Sequence, residues 1–385
     1  MHVSEPAPER AKAGRAPVPD QEHPVSTSER IISADDHMDL HAMPPDVWET
    51  RLPPDLRERG PVVRETDDGL WWHIEGKPVM PSGRKASGLV ERHQHGLRPS
   101  NPEQRLEDMD RDNVYAQIIY GPPGSLRFRD KELQAAVYRA YNDWGAEFNS
   151  VDPDRLVLLP LIPSHDAEAA AAELERCIGL GHRGALIDEH HIDPPLWDAS
   201  WSRFWDVANE AKLPISVHLG GGLTSLKPRR GSWSFPAMVA IIPMQLDEII
   251  VGMVFSGVLE QRPDVTLVLA ESGLGWIPYV LDRMDHEHRN YYDKTEDYRL
   301  SMTPREIWHR QIVATYEEDE LGLELIDRIG ADNVCWASDY PHGDSTWPHS
   351  YESIMKSGLG TLDPAVRRKI IHDNAARIYR IDTGS

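Results

Sequence analysis

The stretch Arg30-Ile31-Ile32-Ser33-Ala34-Asp35-Asp36-His37 is a short apolar run that ends in ionisable residues. In extended chain, side chains two apart share a side, so Asp35 and His37 can converge on one ion. Taken alone the triplet is weak, since Asp35 could equally cap a helix and His37 face water. The rest of the chain gives it context. Further β-rich runs follow at Tyr115–Tyr120, Leu156–Leu161, Ala185–Ile187, Ile215–Val217, Val265–Ala270, Gln311–Ala314 and Val334–Ser338. Amphipathic stretches such as Lys131–Phe148, Asp166–Leu180, Ser200–Ala211, Ile277–His288 and Leu321–Ile329 lie between most of them. This alternation predicts parallel strands joined by helical crossovers. With the first, the runs number eight, which predicts an α/β fold of the (β/α)8 TIM-barrel type, whose strands are apolar throughout because both faces are covered. An open doubly wound sheet is the rival, weakened because no G-x-G-x-x-G follows the first run.

Other runs end in the same way. His218 closes Leu213-Pro214-Ile215-Ser216-Val217-His218 and enters a glycine-rich turn. Asp339 follows Val334-Cys335-Trp336-Ala337-Ser338, with Tyr340-Pro341-His342 behind it, and Glu271 follows Val265–Ala270. Each has an ordinary alternative: a core histidine bonded to backbone, a turn aspartate before proline, a solvated turn glutamate. In a barrel, however, the carboxyl ends of all strands meet on one face, where the active sites of this fold lie. Imidazole nitrogen with carboxylate oxygen suits zinc or manganese and leaves positions open for water and substrate.

Lys+Arg 41 against Asp+Glu 63 gives a net charge of -22, which repels nucleic acid and anionic membranes. No uninterrupted apolar run of about 18 residues occurs, so no membrane span is expected. The two cysteines, Cys177 and Cys335, fall in segments that look buried, and a reducing cytoplasm fits best. Residues 1–28 have the composition of a disordered tail. Residues 29–385 are expected to form one catalytic barrel, with long insertions near 44–105 and 219–250 at the carboxyl face of the strands. Trp71, Trp72, Trp233, Phe235 and Trp347 suggest a planar substrate, or else packing and interface.

The chain resembles the amidohydrolase-2 family, the branch that includes aminocarboxymuconate-semialdehyde decarboxylase and several aromatic-acid decarboxylases. The resemblance runs from about Ile31 to Tyr379. It rests on S-A-D-D-H (33–37), P-P-D-V-W (44–48), Y-N-D-W (141–144), D-P-D-R-L (152–156), G-H-R-G-A (181–185), P-I-S-V-H-L-G-G (214–221), E-S-G-L-G-W-I-P (271–278), S-D-Y-P-H (338–342) and N-A-A-R-I-Y (374–379). It implies one divalent metal ion, Zn2+ or Mn2+, on Asp35, His37, His218 and Asp339. The family commonly has His or Glu at position 35, and a histidine where this chain has Glu271. Ala185–His191 lacks the lysine that bridges two metals in wider relatives, which favours a single ion.

The activity implied is non-redox decarboxylation of a small aromatic or unsaturated carboxylate. Hydrolysis of an amide, ester or lactone by metal-activated water stands behind it, then a hydratase, then a non-catalytic metal-binding barrel. Asp339 and Glu271 are the candidates for proton transfer, with His342, His190, Arg230, Lys227 and Trp72 toward substrate. Relatives of this kind are usually homodimers.

Overall fold

Every residue of β1 (Ile31–His37) is buried, as a strand covered on both faces requires. In this computed structural model the described residues are 30–83, 95–122, 124–188, 192–219, 226, 229, 231–291 and 299–384. The tail expected over 1–28 lies outside them, as do His190, His191, Lys227 and Arg230.

After β1 come β2 (Val62–Thr66), β3 (Gly69–Ile74) and β4 (Lys77–Pro81), then β5 (Val114–Tyr120), β6 (Leu156–Leu158), β7 (Leu161–Ile162), β8 (Ala185–Ile187), β9 (Pro214–His218), β10 (Thr266–Ala270), β11 (Ile312–Tyr316) and β12 (Val334–Trp336). Two parallel arcs make up the barrel wall, in the orders β1-β5-β6 and β12-β11-β10-β9-β8-β7. The expected run Leu156–Leu161 is broken, so that β6 pairs with β5 and β7 with β8. Pro160 causes the break, because it has no N–H for the ladder. Backbone bonds still cross it: Leu159 N donates to Ile119 O at 2.9 Å and Leu186 N to Pro160 O at 3.0 Å. Counting β6 and β7 as one staff gives the eight expected positions, a TIM barrel.

The other seam joins β1 to β12 without a regular ladder. His37 N donates to Tyr340 O at 2.7 Å and Asp339 N to Asp35 O at 3.1 Å. Ser338 N donates to Ser33 Oγ at 2.8 Å. Crossover helices begin where capping aspartates satisfy their free N–H groups. Asp130 accepts from Glu132 N and Leu133 N at the start of Lys131–Asn149, and Asp166 from Ala169 N at the start of Ala167–Gly179.

The first insertion contains a feature that its polar composition hid, the antiparallel sheet β2-β3-β4. Trp72 on β3 is fully buried, packed edge-to-face on Trp48 at 5.4 Å between centroids. It is a core residue, and its expected role toward substrate is corrected: an aromatic on the inner face of this sheet fills the gap against the barrel. Trp347 is buried too, its indole N–H donating to Asp108 O at 2.9 Å. In the second insertion, Ser234–Phe255 is long and apolar enough to cross a membrane by length and composition alone, against expectation. Asp247 and Glu248 lie within it, and Ile249, Ile250, Met253 and Val254 are buried.

Candidate metal centre

The carboxyl ends of three strands carry the four expected ligands. Asp35 and His37 end β1 on the same side, His218 ends β9, and Asp339 follows β12. His37 Nε2 lies 3.6 Å from Asp35 Oδ1 and 2.9 Å from Asp339 Oδ1. His218 Nε2 lies 3.6 Å from Asp35 Oδ1 and 3.4 Å from Glu271 Oε2. Asp35 Oδ1, His37 Nε2, His218 Nε2 and Asp339 Oδ1 are all buried and lack an aligned hydrogen-bond partner among the described residues. Buried polar groups are otherwise nearly always paired, and two groups able to hold a cation share His37: Asp35 with His37 and His218, and His37 with Asp339 and His342, the ligand atoms of each within 4.8 Å of one another.

Neighbouring groups aim these atoms. Thr315 Oγ1 donates to Asp35 Oδ2 at 2.6 Å, and Glu271 N donates to the same oxygen at 2.8 Å, which leaves Oδ1 bare. His218 Nδ1 lies 2.8 Å from Leu219 O, a contact that holds a proton on Nδ1 and turns Nε2 inward. His342 stacks on His37 at 4.0 Å and reaches Asp339 through Nδ1, 2.9 Å from Oδ1, while its Nε2 is 3.4 Å from Asp39 Oδ2. Asp339 (φ 60°) and Glu271 (φ 52°) both have left-handed backbone, a strained state for non-glycine residues that clusters at functional sites.

The charges are unbalanced. Four carboxylates (Asp35, Asp39, Glu271, Asp339) face three imidazoles (His37, His218, His342). Burial disfavours charge on His218, yet Asp35 and Glu271 outweigh it and raise its pKa to about 10. Burial and the His342 charge push His37 the other way, below the usual histidine range. Burial also opposes ionisation of Asp339, but His342 and His37 hold it well below the usual carboxylate range. Glu271 goes up to about 8, from burial first and then repulsion by Asp339. Its side chain is 38% exposed and lines the cavity at the site. A divalent ion would answer the same excess of negative charge that protonates His218.

The cavity is small, about 190 Å³, and Asp39, Arg127, Asp188, Glu271 and His342 line it together with the ligand histidines. A larger cavity of about 600 Å³, beside Tyr279, Arg283 and Arg305 on the helical exterior, holds none of these groups. The structure thus brings together Asp35, His37, His218, Glu271, Asp339 and His342. Sequence reasoning missed Asp39, Arg127 and Thr315. Asp39 was open to discovery, since it continues the alternation Asp35-His37-Asp39. Arg127, on the loop after β5, and Thr315, inside β11, carried no such signal.

The family model described as Amidohydrolase matches residues 38–381. Gamma-resorcylate decarboxylase from Polaromonas sp. is 26% identical over 310 residues, which cover 73% of this chain and 87% of that protein. An amidohydrolase from Mycobacterium avium subsp. paratuberculosis superposes with a TM-score of 0.73 at 19% identity, over 91% of this chain and 99% of that one. A dihydroxybenzoic acid decarboxylase from Polaromonas sp., solved with bound manganese and the inhibitor 2-nitroresorcinol, superposes with a TM-score of 0.61 at 18% identity, over 91% of this chain and 97% of that one. The two structural likenesses establish the fold, and the family match runs from just after β1 to near the end of the chain. This chain belongs to the amidohydrolase family of metal-dependent TIM-barrel enzymes.

Proposed function

We propose that the protein is a non-oxidative decarboxylase of a small aromatic or unsaturated carboxylate, with one Zn2+ or Mn2+ held by Asp35, His37, His218 and Asp339. The observation that carries this reading is the pair of buried ligand groups that share His37, Asp35 with His218 and Asp339 with His342, beside a protonatable carboxyl, Glu271, at a small cavity. The decarboxylase relatives support the reaction type, and the relative solved with manganese supports the ion. When bound, the ion would polarise a substrate oxygen and stabilise negative charge developing in the reaction.

The chain's own groups divide the remaining work. Asp339, held ionised by its imidazole neighbours, serves as ligand and fixes His342. Glu271 handles the proton. As the carbon–carboxylate bond breaks and carbon dioxide leaves, the electron pair stays on the ring or vinyl carbon. Glu271 gives that carbon a proton and is reprotonated from solvent. Arg127 supplies a cation at the cavity wall for a substrate oxygen, which this otherwise acidic cavity needs. Arg230, His190 and Lys227 keep their proposed place toward substrate from the segments around them.

Two further features belong to the proposal. Residues 231–246 contain no charged side chain, and Trp233 (76% exposed), Val239, Ile241 and Met244 present apolar surface to solvent. A second copy of the chain covers this face in a homodimer. Cys177 and Cys335 are buried free thiols, in keeping with a reducing, cytoplasmic setting.

The deciding experiment is elemental analysis of purified protein together with assays on hydroxybenzoates and on simple amides and esters. About one zinc or manganese per chain, with carbon dioxide released from a hydroxybenzoate, is expected. Hydrolysis without carbon dioxide would move the enzyme to the hydrolases, and protein free of divalent metal would remove the ligand set.

A further inference from the structure

We propose that Arg105, remote from the reacting atoms, is a positioning residue: it locks the seam between β1 and β12 on which three of the four ligands ride. The inference rests on the ligand set proposed above. Arg105 lies in the helix Pro102–Arg111 and is fully buried. Burying a guanidinium is expensive unless its hydrogen bonds are met by well-placed acceptors. Here Nε donates to Gln117 Oε1 at 2.6 Å, and Nη1 donates to Pro99 O at 3.2 Å and to the carbonyl of the proposed ligand His37 at 3.0 Å, while Nη2 has no hydrogen-bond partner among the described residues. The guanidinium also stacks over the ring of Tyr340, 5.0 Å from its centroid, immediately after the ligand Asp339.

Around Arg105 the same two ends are tied again. Tyr340 OH donates to Asp108 Oδ2 at 2.7 Å, which anchors it to the helix that carries Arg105. Asp36, between the ligands Asp35 and His37, accepts from Ser338 Oγ at 2.5 Å and from Tyr340 N at 2.9 Å, the residues on either side of Asp339. Among the described residues two backbone bonds, His37 N to Tyr340 O and Asp339 N to Asp35 O, cross this seam without a regular ladder, and these side chains add to them in setting the spacing of Asp35 and His37 against Asp339. A simple packing role would call for an apolar residue. The fork of Arg105 reaches two backbone carbonyls and a side-chain amide at once, which a lysine or an aliphatic side chain cannot do.

The test titrates Mn2+ into metal-free wild type, Arg105→Lys and Gln117→Leu, reading free and bound ion by electron paramagnetic resonance. Circular dichroism and amide exchange in the helix Pro102–Arg111 report whether each variant is folded. Folded Arg105→Lys is expected to bind Mn2+ about 10- to 100-fold more weakly, the usual loss when a ligand's supporting partner is removed. Its bound-ion spectrum should broaden, because His37 no longer holds one orientation. Wild-type affinity and line shape in folded Arg105→Lys would overturn the proposal. Should Arg105→Lys not fold, Gln117→Leu decides: it removes the acceptor of Arg105 Nε and leaves every proposed ligand in place. Weaker Mn2+ binding supports the proposal, and unchanged binding overturns it. Wild type that binds neither Mn2+ nor Zn2+ would instead remove the ligand set, and this inference with it.

Discussion

Glu271 and Asp339 are two carboxylates within 3.4 Å and 2.9 Å of metal-site imidazoles, yet their surroundings push them to opposite protonation states. Asp339 sits against His37 and His342, whereas Glu271 meets burial and the negative charge of Asp339. Pairs set apart in this way mark the division between a fixed anion and a proton carrier. Replacing Glu271 with Gln should leave metal content unchanged while kcat falls about 100-fold or more, the range for losing a general acid. Undiminished turnover would take Glu271 out of the reaction. His218→Ala should lose most of the metal by elemental analysis, and full retention would remove His218 from the site. These residues were legible because each ends an apolar run, where a barrel gathers its chemistry. Trp72 was misread because an aromatic pair looks alike whether it lines a cavity or fills a core, and only the register of β3 decides. Arg127 could not be seen, since a loop arginine has no periodicity to betray where it points.

Among the elements, the parallel strands were legible and the joints between them were not. Apolar runs announce strands covered on both sides, but the break at Pro160 and the sheet β2-β3-β4 depend on which backbone groups find partners. Strand-like alternation is weak in Val62–Thr66 and Lys77–Pro81, whose residues are largely exposed or half-buried. One joint makes a pH prediction. Asp112 ends the helix Pro102–Arg111 and receives Ser350 N at 2.8 Å and Ser350 Oγ at 2.5 Å from the start of the helix Ser350–Lys356. Burial raises its pKa from 3.8 to about 7, more than the Ser350 bonds lower it. Between those values the folded chain holds a proton that the unfolded chain has lost, so Asp112 costs stability progressively as pH climbs to about 7. Asp112→Asn stays neutral throughout. In urea unfolding, its stability relative to wild type should therefore improve from pH 5 to pH 7.5. A constant difference would mean that Asp112 is ionised across the range.

At the scale of the whole molecule, a net charge of -22 sets copies against each other, and the uncharged face at 231–246 is where that repulsion is weakest. Light scattering should give twice the chain mass, with association strengthening as salt screens the like charges. Ile241→Asp with Met244→Asp should return a monomer with its metal still bound, and a wild-type monomer at all salt concentrations would sink the homodimer. The ring of strands also has a consequence for how the enzyme comes into being. Its first strand supplies Asp35 and His37 and its last leads into Asp339, so the partners in one ion cage are about as far apart in synthesis as the chain allows. A nascent chain that has not yet made Val334–Trp336 lacks Asp339, one of the four proposed ligands, and has an unzipped barrel edge. On the proposed ligand set, the ion is the final part to be fitted. Unfinished chains then carry no activity, and loading with metal marks a barrel that has been completed.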